Sequence, residues 1–416
     1  MAVILAYGSP SLGHLFPLAA LLSELAERRH QVHLRTMSSG VGKARAAGIN
    51  AEPVDARIEA IVARDWLARN ALDVLTMSID VLCRRAALEV DDLRNAIEQV
   101  QPDVVIVDAN CWGAMSLADA GHTPWLVFSP FTPYLRSSGI PPFGPGLRPR
   151  PGVVGRLRDA AFRPFVTHLF DRRMLPRVNA VRVTVGAPTA RSVDDLMRRA
   201  PLLLAVGGEP FEYPHPGWGD AVHLVGACVF EPGPTSVPDW VASIDRPIVL
   251  VNTSSIKQAD TVLACTALRA LADEPVHVVA TFPAGVPQGL AVPPNATVRQ
   301  FVPHSVVLDR ACCAITHGGM GTTVKALDRG VPVCVVPFAR DQAEVARRVE
   351  VARCGVRLPA DKLDAQALRA AVRSAMTMAD GARRVAAGFA ATGGVRRGAD
   401  LIEAHLGAPV VRNAVQ

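Results

Sequence analysis

The sequence predicts an α/β fold with two parallel-sheet domains that face a central cleft. Apolar strand-like runs alternate with helix-like segments along the chain, which is the pattern of βαβ units. With 416 residues the chain exceeds the size that one hydrophobic core usually supports, and a Pro-punctuated stretch divides it into two halves. We therefore predict a first domain at residues 1–228, a linker at 229–240, a second domain at 241–396, and a C-terminal helix with a tail at 397–416.

The first half is predicted to be a sheet with helices between its strands. Apolar runs predict strands, and segments with a period near 3.6 predict helices. The strands are residues 3–6, 32–36, 104–107, 125–128, 202–206 and 223–225, and the helices include residues 15–28 and 90–99. Residues 138–155 are rich in Pro and Gly and predict a long loop. Residues 156–182 combine many Arg residues with helical periodicity, so a further helix is expected there.

The second half repeats this alternation. Its predicted strands are residues 248–252, 276–281, 297–301, 314–316 and 333–336, and its predicted helices are residues 261–271, 322–328, 343–354, 365–378 and 398–406. Because the carboxyl ends of parallel strands lie at one edge of a sheet, the loops of both halves are expected to meet at a crevice. We therefore expect two Rossmann-like domains with a ligand site between them.

Composition argues against several classes of protein. The net charge of +6 comes largely from scattered Arg, and no basic block with interleaved aromatics predicts a nucleic-acid partner. No apolar run approaches the roughly 20 residues that cross a bilayer, and the first residues predict a strand rather than a secretory signal. The eight cysteines form no Cys-x-x-Cys motif, and the histidines lack metal-ligand spacing. We therefore expect a cytoplasmic protein without a metal site.

Residues 315–323 are the most informative stretch of the chain. An apolar run breaks into His317, glycines and hydroxyls, and a helical pattern follows. A strand, a Gly-rich turn and a helix N-terminus together offer free N–H groups and a positive dipole end to a phosphate. The turn lacks the Lys-Ser/Thr of a Walker A loop, and no Gly-x-Gly-x-x-Gly follows the strand. His317 can instead donate a hydrogen bond to a diphosphate oxygen without a metal ion.

A second candidate site follows the first strand. Residues 8–13 have the spacing of a phosphate loop, but His14 and Leu15 replace the Lys-Ser/Thr, so phosphate binding is not supported there. By itself, His14 is either a solvated histidine at a helix start or a base. Asp108 ends a neighbouring strand, where its carboxylate would orient the imidazole. The alternative role for Asp108 is a helix N-cap. Together the two residues favour a general base.

Five motifs occur in one order along the chain. They are Gly13-His14-x-x-Pro17, the strand that ends at Asp108, Val302-Pro303-His304, the run from His317 to Thr323, and Gly330-Val331-Pro332 continuing to Asp341-Gln342. The ordered set resembles the macrolide- and natural-product-type UDP-glycosyltransferases, whose architecture is called GT-B. The likeness extends over the whole chain and is strongest between residues 301 and 349.

This resemblance implies an inverting transfer of a sugar from a nucleoside diphosphate to a hydroxyl of a hydrophobic natural-product or drug-like acceptor. It implies that His14 is the general base and that Asp108 supports it. The residues matched to donor binding are Ser254, Ser255, Phe301, His304, His317, Gly319, Gly321, Thr322, Asp341 and Gln342. The expected co-substrate is a UDP- or dTDP-linked sugar, with no cofactor and no metal ion. The turn at His317 would then stabilise the departing diphosphate.

Lys325 is the clearest departure from the family pattern. The family has an acidic residue eight positions after the His of the turn, where it binds the ribose hydroxyls, and a Lys cannot accept those bonds. Lys325 shares a helix face with Thr322, where it would approach a phosphate, pair with an acidic neighbour or point to solvent. Phe301 stands where Trp is frequent, and His304 stands where Gln is frequent. The alternative function is therefore a non-catalytic donor-binding homologue.

Four aromatic residues in or beside loops of the first half are the candidate acceptor site. They are Trp112, Phe131, Tyr134 and Phe143, and the alternative is that some of them belong to the core. The helix predicted at residues 156–182 would cover the acceptor cleft or, alternatively, lie on a membrane that supplies a lipid acceptor. A sugar-nucleotide epimerase of the same architecture would need an acid/base pair around the donor sugar, and the sequence offers none.

Overall fold

The computed structural model describes residues 1–233, 236–255 and 260–407, which contain two parallel β-sheets. The first sheet has seven strands, β1 to β7: Val3–Tyr7, Gln31–Thr36, Asn50–Pro53, Val104–Asp108, Trp125–Ser129, Leu203–Ala205 and Val222–Leu224. Their order is β3-β2-β1-β4-β5-β6-β7, with neighbours parallel. Every residue of β4 and β5 is buried, which explains why these strands are continuous apolar runs in the sequence.

The second sheet has six strands, β8 to β13. They are Ile248–Asn252, His277–Thr281, Ala296–Arg299, Ala311–Thr316, Val333–Val335 and Gly355–Arg357. Their order is β10-β9-β8-β11-β12-β13, again with parallel neighbours. In both sheets the chain starts in the interior, builds outward, and then reverses beside its first strand. The predicted fold class, two Rossmann-like parallel-sheet domains, is confirmed.

Helices of the first domain surround its sheet. Those described, α1 to α7, are Leu12–Glu27, Ser38–Arg45, Ala56–Ala60, Ala71–Val100, Trp112–Ala120, Gly152–Thr184 and Val193–Met197, and a 3₁₀-helix spans Asp65–Leu67. The loop predicted at residues 138–155 ends earlier, because α6 begins at Gly152. Across residues 1–233, 236–255 and 260–407, no helix is both long and apolar enough to pass through a bilayer.

Helices of the second domain follow the same pattern, and the last two return to the first domain. Those described, α8 to α15, are Asp239–Ala242, Thr261–Ala270, His304–Leu308, Met320–Asp328, Gln342–Val351, Ala365–Met376, Ala379–Thr392 and Gly394–Gly407, with a 3₁₀-helix at Ala360–Lys362. Phe389 of α14 packs against Phe211 with ring centroids 5.9 Å apart. Arg28 of α1 pairs with Asp400 and Glu403 of α15 at 2.7 and 2.9 Å.

Several described elements were not predicted from the sequence: the strands β3 and β13, and the helices α2, α3, α5, α7, α8, α10 and α14. Strand β3 has one buried residue among four, so it shows no apolar run. Strand β13 has three residues, which is too short for a periodic signal. The domain boundaries remain predictions. Residues 234–235 of the predicted linker and residues 408–416 of the predicted tail lie outside the described residues.

Candidate active site

The strand order of each sheet reverses at one point, between β1 and β4 in the first and between β8 and β11 in the second. In open parallel sheets, ligands bind beyond the carboxyl ends of the strands at this point. Loops after β1, β5, β8 and β11 line one cavity of about 230 Å³ between the domains. A larger groove of about 640 Å³ lies beside α4 and α6 and contains none of the predicted site residues.

The cavity brings together residues that the sequence analysis selected from both halves. His14 and Phe131 of the first domain line it. So do all ten residues that were matched to donor binding: Ser254, Ser255, Phe301, His304, His317, Gly319, Gly321, Thr322, Asp341 and Gln342. Their individual roles remain predictions. In the described ranges, no group of three or more His, Cys, Asp or Glu residues is arranged to hold a metal ion.

His14 and Asp108 form a close pair at the first reversal point. His14 lies in the first turn of α1, and Asp108 is the buried last residue of β4. The imidazole Nδ1 is 2.8 Å from Asp108 Oδ2 and 3.0 Å from Oδ1. Asp108 is not the N-cap of the next helix, because α5 begins at Trp112 with Cys111 as its cap residue. An Nδ1–H that donates to Asp108 leaves the lone pair of a neutral imidazole on Nε2.

Aromatic side chains extend from His14 into the first domain. The Phe131 ring lies 5.7 Å from the His14 ring, and Tyr134 lies 5.1 Å from Phe131. Phe143 and Phe170 lie 5.2 and 5.4 Å from Tyr134. Burial raises the pKa of Tyr134, so its hydroxyl stays protonated. Phe170 was missed because it lies on α6, far along the chain from the other rings. Of these four rings only Phe131 lines the cavity, and Tyr134, Phe143 and Phe170 pack behind it.

Trp112 lies in the core rather than at the cleft, so its predicted place in the acceptor site is wrong. Its side chain is fully buried among the core residues of the first domain. Helix α5 approaches α4 so closely that a Cβ at Gly113 would lie 1.7 Å from the carbonyl oxygen of Ala86. This close contact between the helices turns the Trp112 side chain towards the core. The sequence showed only an aromatic residue shortly after the end of a strand.

The turn after β11 places His317 over the N-terminus of α11. Gly318 has a φ of +97°, which L-residues with a Cβ rarely adopt. A Cβ at Gly319 would lie 2.6 Å from His317 Nε2, so only glycine lets the imidazole occupy this position. Helix α11 begins at Met320 and has no acidic residue in its first turn. Its first N–H groups therefore lack a competing carboxylate and are oriented as an anion would require.

His317 has a carboxylate neighbour that the sequence analysis missed. Its Nδ1 lies 3.5 Å from Asp260 Oδ2, beyond a normal hydrogen bond, and Oδ2 accepts instead from the Ser254 backbone N–H at 2.5 Å. Burial lowers the pKa of His317, although the charge of Asp260 opposes this shift. Burial thus favours the neutral form of His317, which has a single N–H donor.

A chain of hydrogen bonds connects His304 with Thr322 across the second sheet. His304 Nε2 is 3.2 Å from Thr281 Oγ1, which donates to Asn252 Oδ1 at 2.8 Å. Asn252 Nδ2 donates to Thr322 Oγ1 at 2.8 Å, which leaves the threonine hydroxyl proton for another acceptor. Burial, with a smaller effect of the Lys325 charge, lowers the pKa of His304 to about 3. Asn252 and Thr281, polar residues at strand ends, were missed.

The start of α12 presents Asp341 and Gln342 to the cavity. Gln342 Oε1 accepts from the backbone N–H groups of Phe338 and Ala339 at 2.8 and 3.0 Å, which fixes the turn before the helix. Burial raises the pKa of Asp341, whereas the charge of Arg340 and, once it is protonated, that of His14 lower it. Asp341 is therefore electrostatically coupled to the His14 side of the cleft.

Two contacts join the domains at the edge of the cavity. Arg340 Nη2 donates to Asp65 Oδ1 of the first domain at 3.0 Å. Glu344 Oε1 accepts from the backbone N–H groups of Gly144 and Gly146, both at 2.8 Å. The Pro- and Gly-rich loop of the first domain is therefore attached to α12 by hydrogen bonds from its N–H groups to the Glu344 side chain. These pairs are far apart in sequence and carry no local signal.

Phe301 and Lys325, two departures from the family pattern, also lie on the cavity wall. Phe301 is 50% exposed, so one face of its ring is available to a flat ligand. Lys325 Nζ lies 2.9 Å from Glu231 Oε1. Of the three environments considered for Lys325, the structure therefore has the acidic neighbour. Glu231 was not among the predicted site residues, because it lies in the segment taken as a linker.

Comparisons with known proteins agree on one class. Residues 266–393 match the family described as erythromycin biosynthesis protein CIII-like, C-terminal domain. The chain is 30% identical over 390 residues to 4'-demethylrebeccamycin synthase of Lentzea aerocolonigenes, covering 90% of this chain and 92% of that protein. It is 25% identical over 371 residues to NDP-glycosyltransferase YjiC of Bacillus subtilis (strain 168), covering 88% and 86%. The solved glycotransferase of kitacinnamycin superposes with a TM-score of 0.73 at 25% identity, covering 97% and 98%.

Proposed function

The chain belongs to the natural-product glycosyltransferases of GT-B architecture, and on that premise we propose that it moves a sugar, with inversion, from a nucleoside diphosphate to a hydroxyl of a hydrophobic natural-product acceptor. One observation carries the proposal. His14, which Asp108 contacts from behind, lines the first-domain wall of the cavity, and the N-terminus of α11 lines the second-domain wall. A base on one wall and a leaving-group site on the other fit a direct displacement, which inverts the anomeric centre.

His14 acts as the general base in this proposal. Asp108 holds Nδ1–H, so Nε2 takes the proton of the acceptor hydroxyl as the new glycosidic bond forms. The imidazolium that results is stabilised by the buried carboxylate beside it. Asp108 therefore orients the base and compensates its charge without taking the proton itself.

The second domain stabilises the departing diphosphate. His317, the hydroxyl of Thr322 and the N–H groups at the start of α11 donate to its oxygens. These donors supply positive potential from the protein itself, which supports a metal-independent reaction. The donor is a UDP- or dTDP-linked hexose, and the name NDP-glycosyltransferase of the relative from Bacillus subtilis supports a nucleoside diphosphate. Asp341 and Gln342 contact the sugar hydroxyls.

The acceptor binds against Phe131, which lines the cavity beside His14 and packs on Tyr134. An aromatic ring offers apolar area and a ring face to a flat molecule. A relative named for making 4'-demethylrebeccamycin supports a natural-product acceptor. The eight free thiols support a reaction in the cytoplasm, where cysteines stay reduced.

The test is turnover of the purified protein with UDP- and dTDP-hexoses and a panel of polycyclic hydroxylated acceptors. The expected product is a glycoside whose anomeric configuration, read from proton coupling constants, is opposite to that of the donor. The rate should be unchanged by a chelator. A product with retained configuration would contradict the base mechanism. Tight nucleotide binding without turnover of any donor would instead support a non-catalytic homologue.

A lipid acceptor is the second candidate, and the surface of α6 favours it. Val154, Leu157 and Phe165 are exposed large apolar side chains on a helix that also carries several Arg residues. Such a surface suits the boundary of an anionic membrane. Co-sedimentation with anionic vesicles that is lost in Leu157→Ser with Phe165→Ser would support this candidate. Equal sedimentation of both proteins would remove it.

A further inference from the structure

A buried ion pair on the cavity wall has no part in the chemistry above. Lys325 Nζ lies 2.9 Å from Glu231 Oε1, and each side chain is only 11% exposed. Both residues line the cavity that also contains His317 and Thr322. Burying two charges is costly, and such a pair is often no more stabilising than apolar residues of the same size. Its position on the cavity wall therefore indicates that a bound ligand contacts it.

Three segments of the chain hold the pair in place. Lys325 lies on α11, and Glu231 lies in the segment after β7. Phe16 of α1 packs against the ammonium, with its ring centroid 5.4 Å from Nζ. The Phe230 ring, adjacent to Glu231, lies 5.9 Å from the Phe16 ring. Because a cation is attracted to an aromatic face, Phe16 fixes the ammonium, and the ammonium fixes the carboxylate.

The pair lies one turn beyond the proposed diphosphate site. Lys325 follows Thr322 by three residues, which is about 4.5 Å along the helix axis. Phe301 offers a half-exposed ring on the same cavity. A nucleoside diphosphate whose phosphates bind at the start of α11 carries its ribose next and its base beyond that. The Lys325–Glu231 pair therefore lies on the cavity wall where the ribose of such a ligand would be.

The two charged groups together match the hydroxyls of a nucleoside sugar, which form a vicinal diol in UDP and a single 3′-hydroxyl in dTDP. Each ribose hydroxyl donates one O–H and accepts N–H bonds, a carboxylate accepts O–H bonds, and an ammonium has three N–H donors. The ion pair uses one of those donors. Burial lowers the pKa of Lys325, and the Glu231 carboxylate opposes that shift. The Glu231 carboxylate thus stabilises the charged form of Lys325, and Lys325 in turn positions that carboxylate.

Resting on the proposed glycosyltransferase function, we infer that Glu231 accepts the hydrogen bonds of the donor ribose hydroxyls and that Lys325 is its positioning partner. The carboxylate then comes from the segment after β7, and the cation comes from α11. This arrangement is the reverse of the one that the resemblance implied, in which the helix carries the acidic residue. The departure at Lys325 is therefore compensated by a residue 94 positions earlier.

The test compares UDP with 2′,3′-dideoxy-UDP by calorimetric titration. The wild type is expected to bind UDP about tenfold more tightly, since two hydrogen bonds are lost in the dideoxy compound. In Glu231→Gln this ratio should fall at least threefold. Asp309→Asn is the matched control, because it removes an exposed partner of Arg329, 2.9 Å away, near the other end of α11. The control should keep the wild-type ratio.

A double variant that exchanges the two charges controls for misfolding of the single variant. The double variant Glu231→Lys with Lys325→Glu keeps an ion pair in the wall and should keep the ratio within about threefold of wild type. Lys325→Glu alone places two carboxylates together, so UDP binding should weaken. An unchanged ratio in Glu231→Gln would overturn the inference and leave the proposed function standing. Failure of the wild type to bind either UDP or dTDP would overturn both.

Discussion

Each wall of the cleft carries one histidine with a nearby aspartate, but the two pairs differ in distance and burial. His14 Nδ1 lies 2.8 Å from Asp108, and the imidazole is 18% exposed. His317 Nδ1 lies 3.5 Å from Asp260, and the imidazole is 9% exposed. Both follow strands at a reversal point of a parallel sheet. The two residue types exchange places between the domains. His14 follows β1, and Asp108 ends β4 across the reversal point. Asp260 instead follows β8, the first strand of its sheet, and His317 follows β11.

The difference in distance separates two chemical roles. A carboxylate in hydrogen-bond contact orients an imidazole and stabilises its protonated form, which suits a base. A carboxylate beyond contact, whose oxygen already accepts from Ser254, leaves the imidazole neutral and buried. That environment suits a hydrogen-bond donor to an anion, because no proton has to be taken up. The two histidines should therefore respond differently to substitution.

The largest effect is expected from His14→Ala. Loss of the general base should lower kcat about a hundredfold or more, whereas the Kd for UDP should stay within about twofold. Initial rates at saturating donor and a titration with UDP measure the two quantities. Near-normal turnover would remove His14 from the mechanism and end the distinction between the two histidines.

A smaller loss is expected from Asp108→Asn. The amide can donate to Nδ1 and so favour the tautomer with Nε2–H, which is not a base. The value of kcat should fall about tenfold or more. Asp260→Asn is the matched comparison on the other wall, and its kcat should change by less than about threefold. Equal losses in both variants would show that the difference in distance carries no mechanistic meaning.

For His317→Ala the effect should appear in binding. A hydrogen bond to a charged oxygen contributes about 1.5–3 kcal/mol, so the Kd for UDP should rise about tenfold or more. The same variant should bind uridine, which lacks the diphosphate, as well as the wild type does. Equal weakening for uridine and UDP would place the effect outside the diphosphate site.

The last prediction concerns stability rather than catalysis or binding, and its subject is His304, a third imidazole that lines the cavity. Its folded-state pKa of about 3 lies below the usual value of 6.5. The neutral imidazole therefore contributes stability above pH 6.5, and that stability is lost as the pH falls towards 3. Between pH 7 and pH 5 the wild type should lose about 2 kcal/mol more unfolding free energy than His304→Gln. Urea unfolding at both pH values measures this, and parallel losses would contradict it.

The sequence was most informative where function depends on residues close together in the chain. The turn from Thr316 to Thr322 carries its own glycines, imidazole and helix start, so its spacing predicted an anion site directly. His14 was found in the same way, from a strand followed by a helix. The ordered motifs added the family, and the comparisons confirmed it.

The sequence failed where function depends on side chains that meet from distant segments. Arg340 and Asp65 are 275 residues apart, and neither shows a local pattern. Glu231 lies in a segment with the composition of a linker, and Asp260 precedes a helix as an ordinary capping residue would. For Trp112 the sequence predicted a cleft residue, whereas the structure has a core residue. Its inward position depends on how closely α5 approaches α4.

The sequence by itself determined the alternation of strands and helices, the glycines of the phosphate turn and the residue types of both histidine sites. These follow from periodicity and backbone geometry within about ten residues. Only the tertiary structure decided which carboxylate meets which cation or imidazole: Asp108 contacts His14, Asp260 stays 3.5 Å from His317, and Glu231 reaches Lys325. The physical reason is that packing of separate segments sets the distances between charges, and those distances determine whether a group orients a base, leaves a donor neutral or holds a hydroxyl.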